Sequence, residues 1–102
     1  MEEINDLWKQ HKEAPFPNGF RAKEVNGIDF VMLDADVAGC VDTFVCRGNL
    51  NLYQTAVLGL SYRNLSSVMP VLDDEGKEYF RRLERLAELV LKSVALKNEK
   101  EH

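Results

Sequence analysis

The sequence predicts an α+β fold, mainly helical, in the order α-β-β-α-α-α. A two-stranded antiparallel hairpin at about residues 20–33 packs on a small helical bundle. Three observations predict this. Asn26-Gly27 sits between two β-prone runs, the pattern of a two-residue type I′ turn. Beyond that turn, apolar residues recur at helical spacing almost to the end of the chain. And 102 residues, 45% hydrophobic and 29% charged, give room for one domain with one core.

The first helix is carried by EEINDLWKQHK, which places Ile4, Leu7, Trp8 and His11 at helical spacing. It stops before APFPNGF, whose two prolines and Pro-Asn-Gly tripeptide impose an irregular turn. The hairpin follows. A turn at Asn26-Gly27 pairs Val25 with Ile28, Lys23 with Phe30 and Arg21 with Met32 on one face. On the other face it pairs Glu24 with Asp29, Ala22 with Val31 and Phe20 with Leu33. A lone hairpin is only marginally stable, so it must lean on the helices.

The second helix is expected to begin after Asp34, which acts as its N-cap, with Asp36 favoured by the dipole in the first turn. Val37, Cys40, Val41, Phe44 and Val45 form its inward stripe, and Gly48 offers a left-handed C-cap. The opposite side, Ala35, Gly39, Asp42 and Cys46, is small, which predicts the close approach of another helix and a central place for this one. The third helix is expected to start at an Asn49 cap, with Leu52, Tyr53, Ala56, Val57, Leu60 and Leu65 inward. Pro70 kinks or ends it. In the fourth, Asp73 caps, Asp74 and Glu75 favour the positive end, and Tyr79, Leu83, Leu86, Val90 and Val94 make a continuous stripe. Residues 1–102 are read as one globular domain with a charged, frayed tail at about 97–102.

The charge balance narrows the function. Thirteen Lys+Arg against seventeen Asp+Glu leave a formal net charge of −4. That argues against general nucleic-acid affinity, which rests on clustered cations neutralising phosphates. Apolar runs are too short for a membrane span, and the N-terminal MEEINDLWKQHK lacks the apolar stretch of a secretory signal. A cytoplasmic location is expected. If Cys40 and Cys46 share a helix, about 240° of rotation and about 9 Å of rise separate them, too far for a disulfide. No zinc site is expected from two cysteines with only His11 and His102. His11 also has no serine or cysteine at the spacing of a nucleophilic triad.

VMLDADVAG, with Asp34 and Asp36, resembles the strand followed by Asp-x-Asp of aspartate-nucleophile phosphatases of the haloacid dehalogenase type. Here Ala38 holds the position where those enzymes usually carry Thr or Val. They also need a large parallel sheet with later Ser/Thr, Lys and acidic motifs, whereas this chain offers a hairpin and then helices. Capping is therefore the reading taken for Asp34.

Two clusters remain as candidates. Asp42 shares a helical side with Gly39 and Cys46, where a carboxylate needs a partner or a place at the rim. Arg81, Arg82 and Arg85 in YFRRLERL, or Arg63 in the third helix, could supply one, and Asp42, Arg81 and Arg85 make a candidate ligand- or anion-binding set. Glu78 before Arg82 and Glu88 after Arg85 have the spacing of ordinary helix-surface ion pairs. On the fourth helix Leu86, Leu89, Ser93 and Leu96 form a second seam of coiled-coil type, a candidate interface. The expected function is a non-enzymatic, cytoplasmic protein-interaction or regulatory module, homodimeric through the last helix or bound to another protein. It would need no cofactor or metal, and bind neither nucleic acid nor membrane. The alternative is a small-ligand or anion-binding protein using Asp42, Arg81 and Arg85.

Overall fold

A computed structural model describes residues 2–21 and 23–100. The elements come in the expected order: α1 (Glu2–Glu13), β1 (Glu24–Val25), β2 (Ile28–Asp29), α2 (Phe30–Arg47), α3 (Leu52–Val68), a 3-10 turn at Met69–Val71, and α4 (Asp74–Lys100). Helix α4 packs against α1, α2 and α3, so it holds the central place expected of α2. The expected Ala22–Val31 pair, His102 and the end of the charged tail lie outside the described residues; the chain is helical up to Lys100.

The turn is as its sequence requires. Asn26 and Gly27 both take positive φ, 54° and 79°, and the register pairs Val25 with Ile28 and Glu24 with Asp29. The ladder then stops, two pairs long. Phe30 N still donates to Lys23 O at 3.4 Å, but Arg21–Met32 and Phe20–Leu33 do not pair, because Phe30 already opens α2. Asp29 is the cap: its Oδ1 accepts from Met32 N at 3.0 Å. Phe30, Leu33 and Val37 follow helical spacing and are all buried, so FVML belongs to the helix rather than to a strand. Asp34 consequently lies inside the second turn of α2, too deep to cap it.

At its other end α2 stops as expected, with Gly48 at φ 81° and its N–H donating to Phe44 O at 2.7 Å. The small side is a correction. Ala35, Gly39, Asp42 and Cys46 are exposed, and a Cβ added at Gly39 would meet nothing within 4 Å. Among the described residues no helix approaches Gly39 there.

Helix α3 differs most from expectation. Its cap is Asn51, not Asn49: Asn51 Oδ1 accepts from Gln54 N at 2.7 Å, and Gln54 Oε1 accepts from Asn51 N at 3.0 Å. This reciprocal box needs a Gln or Glu three residues after the cap, which Asn51 has and Asn49 lacks. Leu58, Ser61, Leu65 and Val68 face inward. Of the expected inward set only Leu65 is buried; Val57 is half-buried, and Leu52, Tyr53, Ala56 and Leu60 are exposed. The helix is apolar on two sides, and it packs with the stripe that a serine interrupts.

Helix α4 follows its sequence closely. Asp73 Oδ1 accepts from Gly76 N at 2.8 Å, and Tyr79, Leu83, Leu86, Val90 and Val94 are all buried. Phe20, Phe30 and Phe80 pack ring to ring at 5.1–5.6 Å, fixing the hairpin segment and α2 on α4. Gly76 lies against this cluster: a Cβ there would come within 2.4 Å of Phe20 Cζ, and Phe20 is itself buried.

Gly76→Ala is therefore expected to destabilise the fold by about 1–3 kcal/mol through overpacking, despite the better helix propensity of alanine. Gly59→Ala, where an added Cβ meets nothing, should instead stabilise by up to about 1 kcal/mol. Urea unfolding of the pair decides. Equal stabilisation by both changes would contradict the approach of Phe20 to α4.

Candidate functional site

Three places carry polar or apolar groups that the fold has to explain. The first is a polar cluster in which His11 and Tyr79 are buried and Asp34 is half-buried. Asp34 on α2 accepts from Tyr79 Oη of α4 at 2.9 Å through Oδ2, and its Oδ1 lies 2.9 Å from His11 Nε2 of α1. Tyr79 Oη and His11 Nε2 lie 3.3 Å apart, so two donors converge on the one carboxylate. A carboxylate only accepts, so the proton between Asp34 and His11 sits on Nε2. His11 is buried, stacked on Trp8 with ring centroids 5.9 Å apart, and its Nδ1 has no hydrogen-bond partner among the described residues. Burial foremost, then the hydrogen bond to Asp34 and the charge of that carboxylate, push the Tyr79 phenol well above its ordinary value. Its role is to donate, not to ionise.

Chemically the cluster holds helices together. Histidine and tyrosine both turn a hydrogen bond onto the aspartate, and neither cysteine is placed with them. Cys40 is buried against the Gln54 carbonyl, 3.5 Å away, and burial raises its thiol further from ionisation; Cys46 is exposed. Among the described residues no group of three or more His, Cys, Asp or Glu is placed to hold a metal ion.

The second place is the set Asp42, Arg81 and Arg85, of which the two arginines line one cleft and Asp42 does not. Asp42 is exposed on α2, and its neighbour is Cys46 one turn on, with Sγ at 4.0 Å. Arg85 donates to Glu3 of α1 and pairs with Glu88 at 3.4 Å, so its charge is already engaged. Arg82 pairs with Glu78 at 3.8 Å, the helix-surface spacing read from the sequence. Arg81 is exposed and lines an open cleft of about 550 Å³ with Leu7, Lys77 and Arg85; Asp42 is not part of it.

The fourth-helix seam divides. Leu86 is fully buried in the chain's own core, Leu89 is half-buried against it, and Ser93 donates to the Leu89 carbonyl at 2.9 Å. Leu96 alone of the four is exposed, at 57%.

The third place is the one that sequence reasoning missed. An open groove of about 450 Å³ runs between α2 and α3. Its rim is Met32, Tyr53 and Leu60, exposed at 58%, 77% and 60%, and its floor includes Leu33 and Val57. Leu52, 87% exposed, continues the apolar side of α3. The charged groups lining the groove are two carboxylates, Asp29 and Asp36. The signal was present in the sequence as a helix with two apolar sides, only one of which a small domain can bury.

Among the described residues no helix is long and apolar enough to cross a membrane. Comparison with known protein families, with curated proteins and with solved structures finds no match.

The Tyr79 phenol gives a pH prediction with a definite sign. Its folded value lies above the unfolded one, near 10, so the protonated phenol contributes stability that is complete below about pH 10 and is lost as pH rises beyond it. Tyr79→Phe is expected to cost about 0.5–1.5 kcal/mol at neutral pH and to unfold less steeply than the natural protein above pH 10. Urea midpoints across that range check it. Parallel alkaline losses in both proteins would contradict the buried hydrogen bond.

Proposed function

We propose that this protein is a non-enzymatic, cytoplasmic protein-interaction module, and that the α2–α3 side is the surface it uses. One observation carries the reading: Met32, Tyr53 and Leu60, all more than half exposed, border a single groove, with Leu52 beside them. Four such side chains expose on the order of 500 Å² of mostly apolar surface, near the upper end of what a monomer ordinarily leaves open. Tyrosine and methionine suit such a surface, the first as an anchor with few rotatable bonds and the second as an adaptable contact. Two free cysteines accord with a reducing compartment. The inward-directed hydrogen bonds of His11, Asp34 and Tyr79 accord with a structural rather than a catalytic role.

Self-association through α4 has less to support it, since of Leu86, Leu89, Ser93 and Leu96 only the last offers an exposed apolar side chain. An anion- or ligand-binding role for Asp42, Arg81 and Arg85 as one set has less to support it, since Asp42 does not line the cleft and two glutamates engage Arg85.

A photo-crosslinking amino acid in place of Tyr53, introduced into cells that make the protein, tests the reading. Discrete protein adducts are expected from that position. They should be lost when Leu60→Glu is added and kept when Leu96→Glu is added instead. Both glutamates replace exposed residues, so stability should move by no more than about 0.5 kcal/mol. Absence of adducts from position 53, or adducts indifferent to Leu60→Glu, would overturn the α2–α3 assignment.

A further inference from the structure

Taking the α2–α3 side as the interaction surface, we infer that its partner is an amphipathic helix of another protein, with basic residues flanking its apolar stripe. The shape of the groove calls for a helix. Its walls are two helices joined by the short segment 48–51 and packed against each other, which leaves between them the channel that a third helix fills in a bundle. From Tyr53 to Asn64 the α3 wall rises about 16 Å, the length of three helical turns. An occupant of that length presents apolar side chains at i, i+3 or i+4, and i+7 to Met32, Leu60 and Tyr53. A strand has no comparable template, since β1 and β2 are two residues each.

The charge pattern selects the flanks. Asp29 and Asp36 line the groove, no lysine or arginine does, and its other polar side chains are those of Ser61, Asn64 and Tyr53. Asp36 has no ion-pair partner among the described residues. Lysines or arginines beside the partner's apolar stripe would meet those carboxylates, whereas an acidic helix would be repelled.

The same pattern disfavours a second copy of this chain as the occupant. A twofold contact uses the same patch on both sides. It would bring Asp29 and Asp36 of each copy into one interface, with no lining cation to relieve them.

The test uses the full-length protein labelled for NMR and two synthetic helical peptides. Both have leucines at i, i+4 and i+7; one carries lysines on its flanks and the other glutamates at the same positions. The lysine peptide is expected to shift the amide resonances of Met32, Asp36, Tyr53 and Leu60, and the glutamate peptide to leave them in place. Asp36→Lys should weaken the lysine peptide about tenfold or more and bring the glutamate peptide into the groove. Equal binding of both peptides in the groove would leave the interaction surface standing and overturn the basic-helix assignment. Binding of neither would overturn the helix assignment, and the Tyr53 crosslinks would then decide the surface separately. A dimer by sedimentation that Leu60→Glu converts to monomer would make the occupant a second copy and overturn the inference.

Discussion

One carboxylate joins three helices. Asp34 projects from the second turn of α2 between α1 and α4, where it takes up the hydroxyl of Tyr79 and the imidazole of His11. A polar group in such a place is tolerable only when it is hydrogen-bonded, and here the bonds run between different elements. Each partner therefore depends on the others being in position. His11 stacks on Trp8 and Tyr79 packs against Phe16 and Phe80, so aromatic surface covers both partners of the half-buried Asp34. The low dielectric there strengthens the bonds and raises the cost of losing any one of them.

That junction fixes how the remaining surface is used. With one flank of α2 directed to α1 and α4, α3 packs along its other side and rests on α4 as well. Helix α3 then has a single buried stripe, from Leu58 to Val68, and Leu52, Tyr53 and Leu60 on its second apolar side stay exposed. The hairpin and the Asp29 cap end the groove at one side and bring a carboxylate to it. Local capping chemistry, helix register and the acidic character of the groove thus come from the same few residues.

Much of this was legible in the residues themselves. Asn26-Gly27 specified the turn because a type I′ geometry needs two residues at positive φ, and Gly48 and Asp73 marked helix ends for equally local reasons. The beginning of α2 was not legible in the same way. Phe30, Val31, Met32 and Leu33 suit a strand by propensity, and tertiary packing of Phe30 on Phe20 and Phe80 made them helical. The displacement of that start changed the meaning of Asp34 from a cap to a bridge. His11, 23 positions before it, and Tyr79, 45 after it, have no local pattern in common with it. Their one shared hint was a polar group on an apolar helical stripe, which must find a partner once buried. For α3, hydrophobicity favoured Leu52, Tyr53 and Leu60, and the choice between two apolar sides was made by α2 and α4 rather than by the helix.

The dependence of the helices on Asp34 is tested most directly by a double-mutant cycle. Asp34→Ala, Tyr79→Phe and the double variant are compared with the natural protein by urea unfolding at neutral pH. A bridge of this kind is expected to give a coupling energy of about 1–3 kcal/mol, with the double variant less destabilised than the two single losses added together. Additive losses, with coupling below about 0.5 kcal/mol, would mean that the two groups do not bond in the folded protein.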